Sequence, residues 1–280
     1  MINEAASGRL LTPKGGRCTA GTIANWKKTK ARFSEFSPGI TFDSLSLKSY
    51  HSFIDFCNQR GYAMSYTGKL INEIETFMQI GLAREWHKNS IHRHPLFKKL
   101  YEIIEQVYLD DQEIKSIYDL DLTFDKAIEV VRDRFIVNLY TGFRISDMKT
   151  LNLENIKADT ITHINQKTGN KVVIPLYPII SDLIKKYNGD LPKQYNDVFV
   201  NATIKLIAQK AGITETIRFS KTVGGVKKQF IHKKWEMITN HTCRRSMAIG
   251  ILNHTDLLSA MPVMGMSLKT LQLYNKRTAE

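Results

Sequence analysis

The feature that most constrains this chain is the segment Thr141-Gly142-Phe143-Arg144-Ile145-Ser146-Asp147. It follows a run, Ala127 to Leu139, in which Ala127, Val131, Phe135 and Leu139 recur at helical spacing with Ile128 and Val130 beside them. Gly142 ends that run, because glycine takes positive φ after a last helical turn without steric cost. A second helical pattern starts at once, with Ile145, Met148 and Leu151 on one side. The chain must therefore fold as helix, tight junction, helix. Arg144 stands at the junction with Asp147 three residues on, close enough to touch it. A guanidinium held in this way stays charged and offers a fork of donors suited to a phosphate. Taken singly, the pair is equally well explained as a brace between two helices.

Two further signals lie downstream. His241-Thr242-Cys243-Arg244-Arg245-Ser246 heads an apolar run (Met247, Ile249, Ile251, Leu252), so His241 and Arg244 share one helix face. Tyr274 is the only tyrosine after Tyr195 and lies six residues from the end. Between the two arginines the period changes. Thr160 to Asn165 alternates, Val172 to Leu176 alternates in part, and Gln166-Lys167-Thr168-Gly169-Asn170-Lys171 joins them as a hairpin turn. Alone, a turn lysine is an ordinary surface residue, a histidine caps a helix, and a terminal tyrosine docks one. Together and in this order they ask for a common explanation.

The first hundred residues carry no such constellation. Residues 1–18, with Pro13-Lys14-Gly15-Gly16-Arg17, read as a flexible lead-in. Thr22 is the expected cap of a helix carrying Ile23, Trp26, Phe33 and Phe36, with Lys27, Lys28, Lys30 and Arg32 mostly on its other faces. A second helix is expected over about 43–60, stopping at Gly61, and a third from about Ser65 with Leu70, Ile74, Phe77 and Met78. The basic tract His92-Arg93-His94-Pro95 reads as a loop. Near residue 106 a linker leads into a helix announced by a carboxylate ahead of its apolar run and Glu113 two or three residues later. Residues 177–212 look helical, and Thr222 to Lys228 reads as a further turn.

Composition limits the function classes. The 280 residues leave room for two domains, and no apolar run reaches the ~18 residues of a membrane span. The N-terminus lacks a signal-peptide pattern, and Cys18, Cys57 and Cys243 are scattered without metal-ligand spacing, so a reducing cytoplasm is the expected compartment. A net charge of +13, from 40 basic against 27 acidic residues, predicts a polyanionic partner and steep salt dependence, without separating DNA from RNA. No phosphate-binding glycine loop, His-Glu-x-x-His or nucleophile elbow competes.

Arginine, hairpin lysine, His-x-x-Arg and a near-terminal tyrosine, in this order, resemble the tyrosine recombinases, also called the phage integrase family; the resemblance covers roughly residues 20–276. It implies a mainly α chain: a helical, SAM-like core-binding domain over 19–105 and an α+β catalytic domain over 106–280, helices around a small antiparallel sheet. It implies Tyr274 as nucleophile on a DNA phosphodiester, Arg144 and Arg244 as the charge clamp, Lys167 as general acid with Lys171 as second candidate, and His241 as partner of the tyrosine proton. Asp147 and Met266 are supporting residues, and Lys27, Lys28, Lys30, Arg93, Lys171 and Arg245 are the expected DNA contacts. No metal or other cofactor is implied. The partners implied are double-stranded DNA and further copies of the chain, a homodimer on one site and a homotetramer in the synapse. A soluble, nucleoid-associated protein of a bacterium or phage is expected.

The sequence also departs from the family. Gly-His or Gly-Trp usually precedes the tyrosine; here the pair is Gly265-Met266, and the gap to Tyr274 is one residue shorter than expected. Methionine cannot donate a hydrogen bond to phosphate. A compact form is expected, with nothing before Thr22 long enough for an arm-binding domain and only Asn275 to Glu280 after the tyrosine. Two other readings stand beside the active recombinase. One is an impaired relative that binds and regulates recombination sites; the other, weaker, is a type IB topoisomerase.

Overall fold

The computed structural model describes residues 1–12, 15–104 and 106–274. The chain divides into two units: Met1–Ile104 with Phe219–Phe230, and the described part of Glu105–Arg218 with Ile231–Glu280.

The first unit is built on α1 (Ile2–Ala6), α2 (Ala20–Phe36), α3 (Leu47–Gln59) and α4 (Met64–Ala83). Tyr50, Phe53 and Cys57 of α3 pack on Leu70, Ile71, Ile74 and Met78 of α4, and Phe33 meets Phe53 edge to face at 5.0 Å. Two expectations are corrected here. The cap of α2 is Thr19, whose hydroxyl accepts from the N–H of Thr22, because Thr22 itself is already inside the first turn. Nor is the lead-in bare: α1 is helical, and Ala5 and Leu10 are buried with Trp26, so its apolar residues find a surface on α2 and α4.

The second unit opens with α5 (Asp111–Asp119), where Asp110 and Glu113 form a reciprocal capping box. Next comes α6 (Lys126–Thr141), capped by Asp125 and closed by Gly142 at φ 58°. It is a central helix buried on nearly every side from Glu129 to Leu139, which blurs its apolar stripe and forces its charges to find partners. Lys186 bridges Glu129 and Asp133, Arg132 bonds Asp133 and the carbonyls of Tyr118 and Leu120, and Tyr187 donates to Asp133.

The short α7 (Ile145–Thr150) leads into an antiparallel sheet of β1 (Ile156–Lys157), β2 (Thr160–Ile164) and β3 (Lys171–Pro175) in that spatial order. Ile161 faces Ile174 and His163 faces Val172 across β2 and β3, all four buried. The stretch 177–212 is two helices, α8 (Pro178–Lys186) and α9 (Asp197–Lys210), separated by a loop. The expected turn at Thr222 to Lys228 is the tip of a hairpin, β4 (Thr216–Val223) and β5 (Val226–Lys233). Its period is masked by lysines on both faces. Its tip belongs to the first unit, where Glu102 accepts from the backbone and hydroxyl of Thr222 and Tyr62 accepts from Gly224. The chain continues through α10 (Lys234–Met237), α11 (Asn240–His254), α12 (Leu257–Met264) and α13 (Leu268–Gln272).

Candidate active site

Arg244 is the fixed point of the site. It sits on α11 where that helix packs on α6, and only 4% of it is exposed. Its two terminal nitrogens donate to the carbonyls of Gly142 and Met264, each at 2.7 Å. Both carbonyls lie at helix ends closed by left-handed glycines, Gly142 and Gly265. At Gly142 the choice of residue is forced twice, since a Cβ there would also stand 2.7 Å from the Met247 sulfur. Burial, then the charge of Arg144, lowers the Arg244 pKa to about 10, while Tyr274 and Asp147 oppose the shift. The group remains a cation at neutral pH, with donors of its fork left over for a ligand.

Arg144 is the residue before α7, with about a quarter of its side chain exposed. It donates to Asn165 Oδ1 at 3.3 Å and lies 3.9 Å from Asp147 Oδ2. The expected Arg–Asp pair is therefore long, and the closer tie is to the β2–β3 hairpin. Asp147, fully buried, accepts from the backbone N–H of Gln166 at 3.0 Å. In the turn, Gly169 (φ 73°) donates to the Asn165 carbonyl and Asn165 to the Asn170 carbonyl. Asn165 and Gln166 thus bind the hairpin to the Arg144 junction, and Lys167 is the next residue, exposed. Among the described residues its ammonium has no partner.

His241, in the first turn of α11, keeps an exposed surface. Partial desolvation, then the charges of Arg245, Arg244 and Arg144, hold its pKa below the ordinary value, which keeps the ring neutral at pH 7. Tyr274 follows α13, half-buried against the core, and lies near enough to Arg244 and Arg245 to act on both guanidiniums. Arg245 is turned inward: it donates to the Val107 carbonyl at 3.1 Å, and burial lowers its pKa. Met266 is core, 7% exposed, and offers nothing polar to the site.

Lys27, Lys28 and Lys30 are exposed on α2, Arg93 is exposed in the turn Ile91–Arg93, and Lys171 is exposed at the start of β3. The residues behind the site, His163, Asn165 and Gln166, are not marked by any motif in the sequence. One signal is present: alternation along Thr160 to Ile164 sets His163 on the same face as Ile161, and a polar residue on an inward face asks for a reason. Among the described residues no group of three or more His, Cys, Asp or Glu is placed to hold a metal ion.

The chain thus pairs a helical unit that has no catalytic constellation with a unit that gathers two arginines, a histidine and a tyrosine around one junction. Residues 107–280 match the phage integrase family, and the chain belongs to it. Among solved structures, it is similar to a lambda integrase dimer bound to a COC' core site (TM-score 0.70, 13% identity, 94% of this chain and 91% of that one). It is also similar to the Tn1549 transposon integrase in complex with transposon right end DNA (0.68, 14%, 98% and 94%). A third likeness is to the XerH site-specific recombinase bound to palindromic difH substrate (0.64, 15%, 95% and 79%). At such identities the likeness is one of fold. No curated protein sequence matches the chain.

Proposed function

We propose that the chain is a site-specific DNA recombinase that cuts and rejoins DNA through a 3′-phosphotyrosyl intermediate. The observation that carries this reading is Arg244: a buried cation fixed by two backbone carbonyls, with Arg144 and Tyr274 inside its field. Family membership and the DNA-bound state of the structural relatives support it.

In the proposed step the Tyr274 oxygen attacks the scissile phosphorus. The Tyr274–phosphorus bond forms as the bond to the 5′-oxygen breaks. The tyrosine proton passes to His241, neutral and able to accept it, and Lys167 protonates the leaving 5′-oxygen. Charge gathering on the non-bridging oxygens is met by Arg144 and Arg244, and Arg244 needs no reorganisation because two carbonyls already hold it. Attack by a second strand's 5′-hydroxyl reverses the step. The exposed Lys27, Lys28, Lys30, Arg93 and Lys171 supply phosphate contacts, which set affinity but carry no sequence information. Two copies on one site and four in a synapse complete the proposed assembly.

A second reading, a DNA-binding regulator without strand cleavage, has one observation in its favour: Met266 is buried and cannot touch phosphate as a donor. One experiment separates the two. A bound site is selected from random duplexes, rebuilt as a nicked suicide substrate, and incubated with wild type and Tyr274→Phe. A detergent-resistant protein–DNA adduct in wild type alone is expected. Binding without an adduct favours the regulator.

A further inference from the structure

We propose that His163 is a positioning residue of this site, holding the hairpin that carries Lys167 in register with Arg144. The proposal rests on the recombinase reading above. His163 lies on the buried face of β2 with its ring 5.0 Å from that of Phe143, the residue before Arg144. Its Nε2 stands 3.5 Å from Asp147 Oδ1, the same oxygen that accepts from the Gln166 backbone. Asp147 therefore joins three things: the imidazole, the residue before Lys167, and, through Oδ2 at 3.9 Å, Arg144.

This layer is under-bonded. His163 Nε2, Asp147 Oδ2 and Asn165 Nδ2 are all buried without a hydrogen-bond partner among the described residues. Buried polar atoms left unpaired cost free energy, and three around one arginine call for an explanation. The neighbouring inward positions, Ile161, Val172 and Ile174, show that an aliphatic side chain satisfies this face where only packing is needed. A histidine here with its proton on Nε2 makes a donor aimed at Asp147. A contraction of about half an ångström brings that pair within bonding distance. We infer that the layer tightens when a phosphate draws Arg144 outward, and that the His163–Asp147 bond then fixes the clamp and the proton donor relative to each other.

The test uses the full chain on its nicked suicide duplex. Adduct formation at saturating DNA and the Kd for DNA are measured for wild type, His163→Phe and His163→Gln. Phenylalanine keeps the ring packing on Phe143 and removes the donor; glutamine returns a donor near the Nε2 position. Expected is adduct formation at least tenfold slower in the Phe variant with Kd within about twofold, and recovery of most of the rate in the Gln variant. A Phe variant as fast as wild type overturns the proposal. If the Phe variant unfolds, the Gln variant decides, a rate tenfold down overturning it. Nitrogen NMR of the imidazole gives a readout independent of cleavage. The Nε2–H tautomer is expected, and the Nδ1–H tautomer overturns the proposal even if wild type forms no adduct and the recombinase reading fails by itself.

Discussion

The two units treat charge in opposite ways. In the first, the cations singled out for DNA stand in solvent, Lys27, Lys28 and Lys30 on a helix and Arg93 in a turn, over apolar faces covered by ordinary packing. In the second, Glu129, Arg132, Asp133, Arg134, Asp147 and Arg244 are all buried, each needing partners to offset lost hydration. Exposed charge gives affinity that salt screens; buried charge gives a fixed geometry that salt barely touches. A different contrast lies inside the second unit, between two buried arginines. Arg134 and Arg244 are both lowered to about 10 by burial, and both donate to pairs of carbonyls, Pro192 with Met148 and Gly142 with Met264. Only Arg244 has a second arginine and a tyrosine in its field.

That pair gives the largest expected effect. Arg244→Ala is expected to slow adduct formation by roughly 100- to 1,000-fold, the range for removing one preorganised donor. Arg134→Ala is expected to lose a similar amount of stability, on the order of 1–3 kcal/mol for carbonyls left unpaired, without that loss in rate. Urea unfolding and suicide-substrate kinetics, run on both variants where each is folded, check it. Equal rate losses would mean Arg244 is a brace like Arg134. Arg244→Lys keeps the charge but not the fork, and is expected to remain slow.

A smaller effect tests whether the hairpin and the clamp act as one body. Gly265 closes α12 at φ 52°, and a Cβ there would stand 2.4 Å from Asn165 Nδ2 and 2.8 Å from Val172. Gly265→Ala is expected to cost about 1–2 kcal/mol from backbone strain. It is also expected to push Asn165 off Arg144, so the rate falls further than the stability loss accounts for. A variant with lowered Tm and an unchanged rate would separate the Asn165 hydrogen bond from the chemistry.

These two sites also show where the sequence is legible. Arg144, His241, Arg244 and Tyr274 stand at or within a turn or so of helix ends, and local features mark them: a glycine stop, the head of an apolar run, a lone tyrosine near the end of the sequence. Each can be named before the fold is known. The capping box of α5 is legible for the same reason, since Asp110 and Glu113 bond within one turn. What stays hidden depends on distant residues. The Met264 carbonyl on Arg244 and the Gly265–Asn165 approach join positions that no local pattern links. The lead-in and the β4–β5 hairpin differ from expectation for a related reason: short elements with weak patterns gain order from the surface they meet.

On the exposed side of the comparison, Lys27→Ala, Lys28→Ala and Lys30→Ala combined are expected to weaken DNA binding several-fold. The slope of log K against log salt should become shallower by about one for each phosphate no longer neutralised. Adduct formation at saturating DNA should not change, because these side chains are in the first unit. An unaltered slope would make the three lysines a solvated helix face and nothing more.

The smallest effect concerns His241 and pH. Its pKa is lowered by desolvation and by Arg245, Arg244 and Arg144; that of His92 is lowered by burial, Arg93 and His87. An unfolded histidine titrates near 6.5, so below that pH the unfolded chain binds protons that the folded sites refuse. Stability is then complete above about 6.5, declines as pH falls through that value toward the lowered folded pKa, and is flat beneath it. His241→Gln removes one of the two contributions, and the stability curve from urea unfolding should become flatter over that window while retaining the share of His92. Adduct formation in wild type should fall over the same range as His241 takes up a proton, and the Gln variant, slower throughout, should lose that dependence. If its curve keeps the wild-type slope, the arginines do not act on His241, and the ring stands as free in water as the lysines of the first unit.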